Sequence, residues 1–150
     1  MERILQTRSK QDERFLRRTV ADFDFKVFTK KEISALIKRM RETMETANGV
    51  GLSANQIGLD MNVFVAKDNK KFYAIFNASI SKPSKITVEF EEGCLSVPGM
   101  FAPVLRPERI TLIGYDKSGK KLKIKAWGFL ARVFQHEVDH LNGKLFIDYL

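Results

Sequence analysis

The sequence predicts an α+β fold in which mostly antiparallel β-sheets pack around a C-terminal helix, with a second long helix nearer the N-terminus. Three observations support this class: two segments with helical periodicity, two pairs of strand-like segments that flank short polar turns, and one further strand between those pairs. The 150 residues, with a mass of 17.2 kDa, fit a single domain spanning 1–150. A domain of this size can bury its core without a disulfide or a structural metal.

The first predicted helix follows an N-terminal segment, residues 4–27, that has no clear periodicity beyond a short helical turn at 12–18. We expect that segment to wrap the core. Thr29 and Glu32 form a capping-box pattern, in which each side chain satisfies a backbone amide at the helix start. The Asn-Gly pair at 48–49 supplies the helix end. A stripe of apolar residues at helical spacing is predicted to face the core: Ile33, Leu36, Ile37, Met40, Met44 and Ala47.

Residues 49–58 form a segment of small residues with neither helical nor strand periodicity. Its three glycines leave the main chain open to close approach by a ligand or a neighbouring chain. A phosphate-binding loop would need a Lys-Ser/Thr pair and a following helix, and this segment has neither. Gln56 carries a side-chain amide long enough to reach into a site, so we expect a loop that faces a ligand.

Strand-like segments dominate the middle of the chain. Polar turns at 68–71 and 117–120 indicate two hairpins, and Lys121, Lys123 and Lys125 give the last strand a solvent-facing side. The predicted strands are, in order, 61–67, 72–80, 85–92, 109–116 and 121–127.

The second predicted helix begins at Gly128, where the spacing of apolar residues changes from every second residue, as in a strand, to every third or fourth, as in a helix. An Asn-Gly pair at 142–143 ends it, and residues 145–150 add a short apolar finish. Its core-facing stripe consists of Leu130, Phe134, Val138 and Leu141.

The net charge of +8 raises the question of nucleic-acid binding. The basic residues are spread along the chain and no RNA-binding motif accompanies them, so we expect solvated faces and no specific nucleic-acid site. A charge of this size can still give a weak electrostatic attraction toward RNA-rich assemblies such as the ribosome.

Several compartments and classes are disfavoured. One cysteine cannot form an intramolecular disulfide, and no apolar run approaches the roughly 20 residues of a membrane span. The N-terminal stretch lacks the apolar centre of a signal peptide and contains acidic residues that argue against a transit peptide. We therefore expect a cytoplasmic protein that does not associate with membranes.

The His-Glu-x-x-His motif at 136–140 carries both histidines of the chain. On a helix, His136 and His140 project side by side from one face, and Glu137 lies near the position of a metal-bound water. This arrangement is typical of a metal-dependent hydrolase.

A third protein ligand must come from elsewhere. Ten residues follow His140, with Phe146 where a metzincin would have a histidine and no room for a distant glutamate of the thermolysin type. The missing ligand therefore lies upstream, and Cys94, just after a predicted strand, is the candidate that suits such a metal.

Three segments, at 49–56, 92–96 and 135–140, resemble the motifs of the peptide deformylase family in order and spacing, and the similarity extends from about residue 28 to the end. Ser53 replaces the usual alanine of the first motif. The N-terminal Pro-Asp-Pro common in the family is missing, and the chain ends at Leu150 without the C-terminal extension of many bacterial members.

The resemblance implies a peptide-deformylase-like fold and hydrolysis of the formyl group on the N-terminal formylmethionine of nascent polypeptides, with release of formate. It implies metal ligation by Cys94, His136 and His140, and a metal-bound water activated by Glu137. Gln56 and the Leu95 N–H would join the metal in stabilising the oxyanion. Residues matching the family's substrate-binding positions are Val50, Gly51, Glu92, Gly93, Phe129, Arg132 and Val133.

The resemblance further implies one divalent ion, with Fe(II) in the cell and Zn(II), Ni(II) or Co(II) in the isolated protein. The role of Arg132 leaves two orientations open, because its alkyl stem can pack while its guanidinium turns either to solvent or to Glu92.

Two alternatives share these features. A zinc endopeptidase would use the same two histidines and glutamate to cut internal peptide bonds. A non-catalytic, basic relative that binds ribosomes or RNA would use the positive charge alone. It would have no need for the intact set of Gln56, Cys94, His136, Glu137 and His140.

Overall fold

A computed structural model describes residues 2–69 and 71–150. Within those ranges it contains three α-helices: α1 (Lys10–Leu16), α2 (Lys30–Thr46) and α3 (Gly128–Leu141). None of the helices in the described part of the chain is long and apolar enough to cross a membrane. The two long helices are those that the sequence predicts, and α1 corresponds to the short helical turn predicted at 12–18.

Seven strands complete the described fold: β1 (Gly51–Ser53), β2 (Val63–Lys67), β3 (Phe72–Ser81), β4 (Thr87–Cys94), β5 (Val97–Pro107), β6 (Arg109–Tyr115) and β7 (Lys121–Trp127). Five of them form an antiparallel sheet in the order β1-β2-β3-β6-β7, and β4 pairs with β5 in a separate two-stranded ribbon. The predicted α+β class with antiparallel sheets and a C-terminal helix is confirmed.

The five-stranded sheet lies between the two long helices. Along β2, Val63 and Val65 pack with α2, whereas Phe64 and Ala66 pack with α3. Because successive side chains of a strand point to opposite faces, this alternation requires both faces of the sheet to be covered. The result is three layers, with α3 held firmly against the sheet by a buried apolar stripe.

Helix α2 begins and ends as predicted. The Thr29 hydroxyl accepts a hydrogen bond from the Glu32 amide at 3.1 Å, and the Glu32 carboxylate accepts one from the Thr29 amide at 2.9 Å. This capping box satisfies two amides that the helix itself leaves without partners. At the other end, Asn48 adopts a positive φ of 57° and reverses the chain into the segment that lines the site.

Strand β5 was not predicted. Pro98, Pro103 and Pro107 lie in it, and prolines are usually excluded from strands that have neighbours on both sides. β5 pairs with β4 alone, so one of its edges needs no backbone donors. The prolines are therefore tolerated, and their presence hid the strand from pattern analysis.

Other differences are local. The segment predicted as a loop at 49–58 contains the short strand β1 and a 3-10 turn at Ala54–Ile57. The strand was not predicted because β1 pairs with β2 through backbone atoms, which leave no apolar pattern in the sequence. The predicted turn at 12–18 is α1, which starts earlier because Ser9 accepts a hydrogen bond from the Asp12 amide at 3.2 Å. The final apolar segment forms a 3-10 turn, Phe146–Tyr149. In the predicted turn at 68–71, position 70 lies outside the described residues.

Candidate metal centre

The end of β4 and one face of α3 bring a thiol and two imidazoles together. Cys94 Sγ lies 3.2 Å from His140 Nε2, which in turn lies 3.2 Å from His136 Nε2. All three donor atoms fall within 4.8 Å of one another. A thiolate with two imidazole nitrogens is a donor set that suits Zn(II), Fe(II), Co(II) or Ni(II), so these residues fit a metal-binding site.

The two histidines reach this cluster because α3 places residues four apart on one face. A carboxylate fixes the first of them: His136 Nδ1 lies 2.9 Å from Glu92 Oε1, which turns its Nε2 toward the other donors. Such an outer hydrogen bond sets the ring orientation of a metal-ligating histidine. The Nδ1 atom of His140 has no hydrogen-bond partner within the described residues.

Glu92 is buried in the centre of a charged network. Arg106 donates to it from Nε at 2.5 Å and from Nη2 at 3.0 Å, and Arg132 donates from Nη1 at 2.6 Å. Burial by itself would raise the pKa of Glu92, but the hydrogen bonds from His136 and Arg106 lower it to about 2. The carboxylate is therefore ionised, and it neutralises part of the positive charge next to the cluster.

The network continues away from the cluster. Arg106 Nη1 donates to Asp139 at 2.9 Å, and the Tyr149 hydroxyl donates to the same carboxylate at 2.7 Å. Sequence reasoning missed Arg106, Asp139 and Tyr149. Arg106 lies in the proline-containing strand that was not predicted, and nothing in the spacing links it to α3.

Protonation of the histidines depends on this surrounding charge. Burial and the neighbouring His136 hold the pKa of His140 well below its usual range, so its Nε2 lone pair is available. Burial also works against protonation of His136, but hydrogen bonds with Cys94 and Glu92 raise its pKa to about 10. A metal ion would have to displace that proton, because only the neutral imidazole is a ligand.

Glu137 follows His136 on α3 and is buried beside the cluster. Burial raises the pKa of Glu137 to about 7, and its Oε1 atom has no hydrogen-bond partner within the described residues. Its other oxygen borders Gly51, where an added Cβ would lie 2.5 Å from Glu137 Oε2. A carboxylate with a pKa near neutrality and a free oxygen can accept or donate a proton in this site.

Gln56 presents its amide nitrogen to the same cluster. Its Oε1 accepts a hydrogen bond from the Ser53 amide at 3.0 Å, and its Nε2 donates to Ser96 Oγ at 3.1 Å and approaches Cys94 Sγ at 3.7 Å. Because a backbone N–H can only donate, the Ser53 amide determines which end of the Gln56 side chain is oxygen. The NH₂ group therefore faces Cys94, one of the candidate metal ligands.

A cavity of about 600 Å³ opens beside the cluster. The structure brings every predicted substrate-binding residue to its wall, together with Leu95, which directly follows Cys94. Gln6, Phe90 and Phe101 also line the cavity and were not predicted, since Gln6 belongs to the irregular N-terminal segment and Phe101 to β5. The predicted set on the wall is Val50, Gly51, Glu92, Gly93, Phe129, Arg132 and Val133.

The guanidinium of Arg132 turns to Glu92 and not to solvent, which is one of the two orientations that the sequence left open. Its guanidinium binds Glu92 and donates to the carbonyl oxygens of Val104 at 2.9 Å and Val88 at 2.7 Å. The side chain is buried, so its charge is neutralised in the cavity wall and does not face solvent.

Comparison with known proteins gives a consistent result. The family model described as polypeptide deformylase matches residues 2–150. The peptide deformylase of Halothermothrix orenii is 46% identical over 122 residues, covering 80% of this chain and 78% of that protein. The peptide deformylase of Borreliella burgdorferi is 45% identical over 114 residues, covering 75% of this chain and 69% of that protein.

Solved structures agree with the sequence relatives. A probable peptide deformylase from the Synechococcus phage S-SSM7 superposes with a TM-score of 0.89 at 39% identity, with 100% of both chains covered. A class I type b peptide deformylase from Acinetobacter baumannii gives a TM-score of 0.93 at 28% identity, covering 100% of this chain and 99% of that one.

Proposed function

The chain belongs to the polypeptide deformylase family, and from that premise we propose that it removes the formyl group from the N-terminal formylmethionine of nascent polypeptides. The products are formate and a free amino terminus. The observation that carries this proposal is the convergence of five side chains at one end of the cavity. They are Gln56, Cys94, His136, Glu137 and His140.

Cys94, His136 and His140 are the proposed metal ligands. A divalent ion held by them would act as a Lewis acid on the formyl oxygen and would lower the pKa of a bound water toward neutrality. Glu92 holds His136 through Nδ1, which keeps the ligand nitrogen aimed at the cluster.

Glu137 is the proposed general base and acid. It takes a proton from the attacking water and later delivers a proton to the departing amine nitrogen, so the C–N bond breaks as the new C–O bond is retained. Its pKa of about 7 suits both directions of transfer near neutral pH.

Gln56 and the backbone N–H of Leu95 are the proposed donors to the negative oxygen that develops on the formyl carbon. Support for Gln56 comes from its orientation, because its NH₂ group lies next to Cys94 and its oxygen is held away by Ser53. Donors fixed before the reaction contribute more than donors that must reorient during it.

The substrate backbone is proposed to lie extended along Val50, Gly51 and Gly93, where the main chain is accessible because two of these residues are glycines. Its methionine side chain would enter the cavity beside Glu92, Phe129, Arg132 and Val133. Glu92 and Arg132 are paired with each other, so neither presents an unpartnered charge to an apolar thioether.

Iron(II) is the proposed ion in the cell, with zinc, nickel or cobalt able to occupy the same donors in the isolated protein. Protein loaded with iron or cobalt should release formate faster than zinc-loaded protein. Equal rates at equal metal content would contradict the preference for iron.

The catalytic unit is proposed to span residues 1–150 and to act in the cytoplasm, where nascent chains emerge. The net charge of +8 would favour a weak electrostatic association with the ribosome, without a specific nucleic-acid site. The proposed partners are formylmethionine termini, and no membrane is involved.

Two peptides test the proposal against the zinc endopeptidase. The metal-loaded protein is incubated with formyl-Met-Ala-Ser and, separately, with a longer unformylated peptide. We expect formate from the first and no cleavage of the second. Internal cuts without formate would favour the endopeptidase, and neither product would favour a non-catalytic relative.

A further inference from the structure

Ser53 lies at the end of β1, fully buried, with its hydroxyl between two side-chain oxygens. Its Oγ is 2.7 Å from Asn55 Oδ1 and 3.0 Å from Gln56 Oε1. A hydroxyl has one hydrogen to donate, so it can donate to only one of these oxygens at a time, and Asn55 Oδ1 is the nearer acceptor. Ser53 does not line the cavity, and the proposed chemistry gives it no role so far.

Asn55 connects this hydroxyl to the metal-ligand helix. Its Nδ2 donates to the carbonyl oxygen of His140 at 2.6 Å, and the side chain is fully buried. Since that carbonyl requires a donor, the Asn55 oxygen must point the other way, toward Ser53. A continuous buried chain of hydrogen bonds therefore runs from Ser53 through Asn55 to the backbone of His140.

Ser53 also contacts the side chain of Gln56. Both the amide and the hydroxyl of Ser53 lie 3.0 Å from Gln56 Oε1, which leaves its Nε2 directed at Ser96 Oγ and Cys94 Sγ. Without the hydroxyl, one contact to Oε1 would remain, and Asn55 Oδ1 would lose its partner in a site closed to water. The Gln56 side chain would then be free to shift relative to α3.

We propose that Ser53 is a positioning residue: its backbone amide holds Gln56 Oε1, and its hydroxyl, donating to Asn55, ties this position to the helix that carries His136 and His140. This inference rests on the proposed function, in which Gln56 donates to the developing oxyanion. A donor of this kind acts only at the correct distance, and a displacement of about 1 Å can cost two orders of magnitude in rate.

The kinetic test is a double-mutant cycle. In otherwise wild-type protein, Ser53→Ala should lower kcat for formyl-Met-Ala-Ser about tenfold with KM changed less than about twofold, because only part of one donor's effect is lost. In a Gln56→Ala background, Ser53→Ala should have little further effect. Equal losses in both backgrounds would overturn the proposal, since Ser53 would then not act through Gln56.

Thr43→Ala is the matched control. Thr43 is also a fully buried hydroxyl, donating to the Arg39 carbonyl at 2.8 Å, but it lies in α2 and does not line the cavity. It should lower stability about as much as Ser53→Ala while leaving kcat unchanged. An equal fall of kcat in Thr43→Ala and Ser53→Ala would overturn the proposal, because a general loss of stability would then explain both.

A measurement on the amide itself does not depend on activity. In protein labelled with ¹⁵N-glutamine, the side-chain NH₂ of Gln56, assigned by its loss in Gln56→Ala, should be well dispersed and slow to exchange. It should move toward the exposed-glutamine position in Ser53→Ala. Averaged, rapidly exchanging signals in the wild-type protein would overturn the positioning role, whereas a dispersed amide without formate release would contradict only the proposed function.

Discussion

Glu92 Oε1 lies 2.9 Å from His136 Nδ1, so a carboxylate in the cavity wall also holds a proposed metal ligand. The same carboxylate binds Arg106 and Arg132, both of which are buried. One side chain thus joins β4, β5 and α3 at the site. Its loss should affect the stability of the fold as well as the orientation of His136.

Replacing Glu92 by alanine should lower the free energy of unfolding by about 3–5 kcal/mol, because it removes the carboxylate that two buried guanidinium groups share and leaves Arg106 with Asp139 alone. Urea denaturation measures the loss. Glu89→Ala is the control, since Glu89 lies on the same strand but is exposed and makes no ion pair within the described residues. The control should change stability by less than about 0.5 kcal/mol, and similar effects of both variants would contradict the network.

Glu92 should also make the protein sensitive to acid. Its pKa is about 2 in the folded state against an ordinary value of 4.5, so the unfolded chain binds the proton more readily. The stabilisation is complete above pH 4.5 and is lost as the pH falls from there toward 2. Denaturation curves across this range should show a steeper loss in wild-type protein than in Glu92→Gln. Parallel losses would contradict an ionised Glu92.

The pH dependence of the reaction should follow Glu137. As a general base it must be ionised, so kcat/KM should rise with pH on the acid side and level off once the carboxylate has lost its proton. Burial places its pKa at about 7, and a nearby cation would lower that value. Initial rates between pH 4.5 and 8 locate the midpoint, which we expect at or below 7. Activity that falls as the pH rises through this interval would exclude Glu137 as the base.

Gly51→Ala should damage catalysis with little loss of metal. The new Cβ would lie 2.5 Å from Glu137 Oε2, so the buried carboxylate must move away from its working position. A displacement of this kind should lower kcat/KM about 100-fold. Metal content after dialysis should stay near that of the wild-type protein, because the three ligands are not touched.

Gly114→Ala controls for crowding alone. Its Cβ would lie 2.7 Å from Ile75 Cγ2 in the core, and Gly114 does not line the cavity, so we expect a lower melting temperature and normal kcat. If the two variants lost stability equally and neither lost activity, the close approach of Gly51 to Glu137 would have no catalytic meaning.

The two long helices, and the placement of His136 and His140 on one helix face, could be predicted because each rests on a local pattern. Capping residues and apolar spacing delimit α2, and the four-residue separation of His136 and His140 follows from helix geometry. Cys94 was identified as a candidate ligand because few residues follow the histidines and because its segment resembles the family's second motif, and the structure places it beside the two histidines. Helical periodicity and sequence motifs were therefore sufficient to predict the two long helices and to name the candidate ligands.

The parts that could not be predicted depend on contacts between distant segments. Strand β5 contains prolines that local propensity rejects, and it exists because β4 supplies its single partner. Arg106, brought by that strand, reaches Glu92 across 14 positions and Asp139 across 33. Ser53 differs from the family pattern by one oxygen atom, and only the folded site reveals that Asn55 and Gln56 contact it.

Formate release by Glu137→Ala tests the central claim most directly. Wild-type and variant proteins are loaded with the same ion to the same content and given formyl-Met-Ala-Ser. The wild-type protein should release formate, and the variant should be slower by at least about 100-fold, because the neighbouring carboxylate, Glu92, is held ionised by Arg106 and Arg132 and cannot replace Glu137 as the proton carrier. Formate release at the wild-type rate by Glu137→Ala would contradict the mechanism.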